Sequence, residues 1–257
     1  MNIKIFMRLL KISVMETISL RTTSIIMFFI VNLFFILQIL SGYVFFEYTD
    51  TLGGLTRIEY FNLIVTGNII IPLSYSVFLK GQEKIYFGVL SGELDYDLIR
   101  PTNSFWYYTF NGIDLQSLIT AILYIFLQIY LFTFQNLTIT GILLYTLMLF
   151  IGAWYIFLVN RLLVILVFYF EKANSIMAYT EELDDMGSKP IKIYPKAIRY
   201  VFIYGLSYLM VYNAPINILK GEVNSSYMIA YMLSTVILSF VVYKLWFKAV
   251  KKYQSAN

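Results

Sequence analysis

TITGILLYTLMLFIGAWYIFLVNRLLVILVFYF, residues 138–170, is apolar from end to end except for Asn160 and Arg161. About 20 apolar residues cross the hydrocarbon core of a bilayer, so this run is longer than one crossing needs. It is either one over-long helix or a helix that turns at Asn160–Arg161 and starts back. The polar stretch EKANSIMAYTEELDDMGSKPIKIYPK (171–196) follows, and 197–219 is apolar again, interrupted by Asn213, Ala214 and Pro215. In one topology the polar stretch is cytoplasmic and 197–219 is a fifth span. In the other, the chain spans outward through 162–182 and 197–219 is a re-entrant hairpin on the outer side. The second places Glu171 and Lys172 near mid-membrane, at about 3 kcal/mol each unless paired or hydrated. It also exports Lys189, Lys192, Lys196 and Arg199. Charge favours the first, and both stay open on the residues alone.

The rest of the chain places this run in a membrane protein. Of 257 residues, 60% are hydrophobic and 13% charged, with a mean hydropathy of +0.73. A soluble domain of that length is about a quarter charged. Four further apolar runs read as spans: 24–46, 60–79, 105–132 and 227–247. Tyr (23) and Phe (22) are abundant, as where rings line bilayer interfaces and helix contacts. Residues 1–23 carry Lys4, Arg8 and Lys11 on one helical face, with Ile3, Phe6, Leu10, Val14 and Ile18 on another. This pattern predicts an amphipathic helix lying in the interface rather than a signal peptide.

Charge then orients the spans. The loop EYTDTLGGLTRIE (47–59) has Arg57 as its only Lys or Arg, whereas Lys80, Lys84 and Arg100 follow the second span and Lys248, Lys251 and Lys252 the last. The positive-inside rule puts both termini and the 80–104 loop in the cytoplasm, with an even number of spans. The expectation is an all-α polytopic protein of six transmembrane helices, a single transmembrane domain over 1–257.

The chain has no cysteine and no histidine, which excludes thiol and imidazole chemistry and nearly every zinc site. No G-x-x-x-x-G-K-[ST] loop is present, so the chain has no nucleotide-binding motif of that type. Glu181–Glu182 suggests an intramembrane protease only if histidine ligands exist, and none do. Asp95 and Asp97 are two apart and diverge on a helix, which argues for a solvated acidic face rather than a metal site. Asp114, near the start of an apolar run with Asn111 and Gln116 close by, is a candidate for a substrate-path or conformational role, as are Asn111, Asn213 and Pro215. Asn32, Gln38 and Gln128 read as interhelical hydrogen-bond partners.

The most distinctive loop is GQEKIYFGVLSGELDYDLIRPTN (81–103). Ser91 is placed to cap a short helix with Glu93 and Asp95 in its first turn. Leu94 and Leu98 share a face, Asp97 reaches Arg100, and Pro101 ends the helix. The result is an amphipathic turn whose Leu94/Leu98 ridge suits docking to another protein.

SGELDYDLIRP (91–101) resembles the signature of ABC type-2 permeases, a G-x-L-D-x-x-L-x-R-P segment after the second span. KPIKIYPKAIRYVFIYGLSYLMVYNAPINILKG (189–221) is similar to a second region of that family. There Lys189 replaces a usual aromatic, and Ser207 replaces a common proline, which removes the residue that would kink the chain. The resemblance implies an exporter permease fold working as a homodimer or beside a related permease. It implies separate ABC ATPase subunits that bind ATP and Mg, with no catalytic site or cofactor in this chain and no nucleic-acid partner. The location implied is a bacterial cytoplasmic membrane. ATPase coupling would fall on Gly92, Glu93, Leu94, Asp95, Leu98, Arg100 and Pro101. The family also places a re-entrant element before the last span, which weighs toward the second topology. An aromatic-lined path suits a hydrophobic or amphipathic cargo, such as a peptide, lipid-linked molecule or drug. The competing readings are a self-standing membrane protein for immunity or sensing, and an intramembrane enzyme.

Overall fold

The computed structural model describes residues 11–12, 14–15, 19, 21–94, 98, 103–169 and 176–253. Among them the chain is helical, and the pairing of Leu52 with Leu55 is an isolated bridge rather than a strand. Five helices are long and apolar enough to cross a membrane: α1 (Arg21–Tyr48), α2 (Arg57–Ser91), α4 (Leu115–Phe132), α5 (Ile139–Leu166) and α9 (Ser225–Lys252). Between α2 and α4 lies the short α3 (Ser104–Thr109). After α5 come α6 (Ile176–Gly187), α7 (Lys196–Tyr200) running into a π-turn at Val201–Gly205, and α8 (Tyr208–Lys220).

Local sequence sets where the helices begin. Side-chain oxygens of Asp114, Thr138 and Asn224 accept from the N–H groups of Ser117, Gly141 and Tyr227 at 2.8, 3.1 and 3.2 Å. Each satisfies a donor that the first turn leaves without a partner. The Thr56 N–H donates to Glu59 at 2.7 Å at the start of α2. Before it, Gly53 and Gly54 take positive φ (59° and 79°), and Leu52 and Leu55 exchange backbone bonds of 2.9 and 3.1 Å. A two-residue reversal with positive φ at both central positions favours glycine, asparagine or aspartate there.

The run 105–132 is not one helix. It breaks at Asn111–Gly112, and the Asp114 N–H crosses to the Ser76 carbonyl at 2.8 Å. The run 138–170 contains no turn at Asn160–Arg161: α5 passes straight through both residues to Leu166, and turn residues follow at 167–169. Of the expected interfacial helix over 1–23, most residues lie outside those described, and residues 11, 12, 14 and 15 are helical with exposed side chains.

Contacts define two ends of the bundle. At one end, the Gly53–Gly54 turn meets Pro190, Lys192 and Lys220, and Asn62 at the start of α2 bonds Gln135 after α4 at 3.0 Å. At the other, Trp246 packs with Phe105, Phe157, Leu94 and Phe168. The chain leaves the Trp246 end at Phe168, whose ring lies 5.8 Å from that of Trp246. It passes Asp184 in α6, beside Tyr208 and Tyr212, and reaches the Gly53 end at Pro190.

The apolar stretch 197–219 therefore starts at the Gly53 end, and it also finishes there, where the Lys220 Nζ donates to the Gly54 carbonyl at 3.4 Å. Its two halves, Lys196–Gly205 and Tyr208–Lys220, meet at 90°. Both ends of the stretch thus lie at one end of the bundle, the geometry of a re-entrant hairpin. The bend forms without proline. Ser207 Oγ donates to the Ile203 carbonyl at 2.6 Å, giving a partner to a carbonyl at the break.

Candidate functional site

The segment after α2 is built by two glycines on one helix face. Gly81 and Gly88 are seven residues, or two turns, apart. A Cβ at Gly81 would overlap the Tyr108 carbonyl oxygen, and one at Gly88 would stand 3.1 Å from Leu94 Cδ1. The first admits the backbone of α3, and the second seats Leu94. Helix α2 ends on Gly92 at φ 75°, where only glycine is unstrained. Ser91 is thus the last residue of α2 and not the cap of a new helix.

Beyond this reversal, the Leu94 N–H donates to the Gly88 carbonyl, and the Leu98 N–H to the Leu94 carbonyl, both at 3.2 Å. Leu94 is 2% exposed and shares a cluster with Ile85, Phe105, Phe157, Val242 and Trp246, against which Leu98 also packs. The expected exposed Leu94/Leu98 ridge is corrected here: these side chains tie the segment to its own bundle. Periodicity identifies an apolar face but not the surface that covers it. Glu93 is exposed; Asp95, Arg100 and Pro101 lie outside the described residues.

At the centre of that cluster sits Arg161, fully buried. Its Nε donates to Gln82 Oε1 at 2.8 Å, and its guanidinium lies 5.1–5.4 Å from the ring centres of Trp246, Phe157 and Phe105. Its two terminal nitrogens have no hydrogen-bond partner among the described residues. Ring faces attract a cation, yet a buried charge without a carboxylate is costly to keep.

A second polar cluster links α6 to the re-entrant hairpin. Asp184 is buried, and its Oδ1 accepts from the Tyr208 and Tyr212 hydroxyls at 2.5 Å each. These two hydroxyl donors give a buried carboxylate partners in place of water. Gly187 makes room for the arrangement, since a Cβ there would stand 2.5 Å from the Tyr212 ring.

The other sequence candidates have structural partners. Asp114 caps α4, and Asn111 lies half-buried at the bend before it. Asn213 holds the chain after α6 against α8: its Oδ1 accepts from the Ile191 N–H at 3.2 Å, and its Nδ2 donates to the Lys189 carbonyl at 3.1 Å. Pro215 is buried within α8. Gln128 donates to Asn62 Oδ1 at 2.7 Å, Tyr124 to Asn32 at 3.2 Å and Asn68 to Gln38 at 3.0 Å, the interhelical role expected of these amides. Arg161 and Asp184 were missed as site residues. Arg161 carried a usable signal, because an ionisable residue inside an apolar run marks function by default. Asp184 sits in a polar stretch that reads as solvated. Among the described residues no group of three or more acidic side chains is placed to hold a metal.

The family model described as ABC-2 family transporter protein matches residues 30–257. The chain belongs to that family. It is accordingly a membrane permease of the ABC transporter class, with spans that embed it in a bilayer and a family that pairs with ABC ATPases. No curated protein and no solved structure matches the chain. For this permease the 92–98 segment and the two polar clusters are the features on which a transport role can be built.

Proposed function

We propose that this permease is the six-span membrane subunit of an ATP-driven exporter, acting as a dimer above two separate ATPase subunits. The six crossings are α1, α2, α4, α5, a passage that includes α6, and α9. Lys80, Lys84, Lys248, Lys251 and Lys252 cluster toward the Trp246 end, which the positive-inside rule assigns to the cytoplasm together with both termini.

The observation that carries this reading is the burial of Leu94 beside Phe157 and Trp246. An ATPase contacting the polar side of residues 92–101 would push on a segment already joined to α2, α5 and α9. The permease then needs two discrete packings, one favoured by the closed ATPase pair, and no catalytic residue of its own. Arg161 is the group on which such a change would act, since its terminal nitrogens would gain partners in a second packing. The cargo class is hydrophobic or amphipathic: a peptide, a lipid-linked molecule or a drug.

Co-expression with the ATPase encoded by a neighbouring gene tests the reading. Recovery of a stoichiometric complex supports it, and recovery of the permease alone contradicts it.

A further inference from the structure

We infer that the cavity at the Gly53 end is a binding site for a phosphate-type anion. The site uses the orientation proposed above only to say which side of the membrane it faces; the binding itself stands on local geometry. The cavity, of about 300 Å³, lies between the Gly53–Gly54 turn, the chain after α6 and the re-entrant hairpin. Lys192, Arg199 and Lys220 line it, together with Asn217, Asn224 and Glu222.

The charges do not cancel evenly. Lys220, with only 9% of its side chain exposed, takes both nearby carboxylates: Glu59 at 3.5 Å and Glu222 at 3.2 Å. Lys192 and Arg199 have no acidic partner within 4 Å among the described residues. Two cations thus face one cavity uncompensated, next to a third whose carboxylates are already engaged. The Lys192 side chain lies across Gly54, where a Cβ would meet its Nζ at 2.8 Å. Gly54 at φ 79° is needed for the turn, and it leaves open the space that the lysine occupies.

A planar guanidinium fork, an ammonium and a neighbouring amide match a multi-oxygen anion better than a single hydroxyl or carbonyl. The location strengthens the argument. Lys189, Lys192, Lys196 and Arg199 sit at the end opposite the one where the lysines late in α2 and α9 gather, against the charge bias that orients short loops. Lys189 is offset by Asp185 at 2.6 Å; Lys192 and Arg199 are not, and an anion in the cavity would offset them. The same phosphate chemistry is offered by an anionic phospholipid headgroup in the outer leaflet and by free phosphate.

The test uses the purified full-length permease in neutral detergent, without ATPase, so that its result is independent of the exporter reading. Dihexanoyl phosphatidylglycerol, dihexanoyl phosphatidylcholine and inorganic phosphate are each titrated and followed by calorimetry. Saturable binding of phosphatidylglycerol over phosphatidylcholine is expected, weakened about tenfold or more in Lys192→Gln and Arg199→Gln. Arg199→Lys should retain part of it, and Lys248→Gln, at the other end, all of it. Phosphate that binds with the same variant losses assigns a free anion as the ligand; phosphatidylglycerol alone assigns a headgroup. Equal binding of the two lipids without phosphate binding, no saturable binding, or unchanged affinity in both Gln variants overturns the proposal.

Discussion

The Leu94 N–H donates to the Gly88 carbonyl at 3.2 Å, and the Leu94 side chain fills the space that the missing Gly88 side chain leaves. The chain thus leaves α2, reverses at Gly92 and is at once buried against the helix it has left. This fastening makes Leu94, with Leu98 packed beside it, part of the bundle.

Gly81 makes the tightest of the glycine contacts in this region. Gly81→Ala should destabilise the permease by about 1–3 kcal/mol, the usual range for overpacking, because the Tyr108 carbonyl it meets is backbone and cannot rotate away. Gly205→Ala, which meets nothing within 4 Å, should change stability little. Thermal unfolding of both variants in detergent checks the contrast.

Asp184 should behave as an acceptor first and a charge second. Asp184→Asn keeps a carbonyl oxygen for Tyr208 and Tyr212 and should be tolerated. Asp184→Leu strands buried hydroxyls, at about 1–3 kcal/mol for each one left unsatisfied, and should lower both the unfolding midpoint and the yield of folded protein.

Ser207 offers a test of the bend. Its φ is −69°, and Leu206 before it is extended at φ −96°, ψ 101°, so the backbone already has the conformation a proline requires. Ser207→Pro should be near neutral: the hydroxyl bond to Ile203, worth about 1 kcal/mol, is lost, while the unfolded chain loses about 0.4–1 kcal/mol of freedom. Unfolding midpoints within a few degrees of each other are expected.

The re-entrant topology is open to labelling, since the native chain has no cysteine. An impermeant thiol reagent applied to intact cells should modify Lys192→Cys, at the exposed Gly53 end, and leave Lys248→Cys untouched until the cells are opened. Labelling of Lys248→Cys alone would invert the orientation. Lys192 suits this purpose, whereas Asp184 is buried.

Much of the fold was legible because bilayer-length apolar runs admit few alternatives. Four of the helices extend past the expected runs 24–46, 60–79, 138–170 and 227–247 or end within a few residues of them. The errors have physical causes. A turn at Asn160–Arg161 stayed open beside a single long helix because a polar pair in an apolar run is costly in lipid; ring faces and Gln82 house the arginine inside the bundle. The break at Asn111–Gly112 was visible as a turn dipeptide, yet the apolar residues on both sides hid it. The path of 197–219 depends on Asp184 meeting Tyr208 and Tyr212, a pairing that no local pattern announces. The apolar face of Leu94 and Leu98 was legible in the sequence, and the surface that covers it was not.

The most direct test of the account is ATP hydrolysis by the co-purified permease–ATPase complex, comparing wild type with the Asp95→Ala/Arg100→Ala double variant. The account predicts a folded permease with normal membrane insertion and a clear loss of transport-coupled hydrolysis. Hydrolysis and coupling equal to wild type would contradict it.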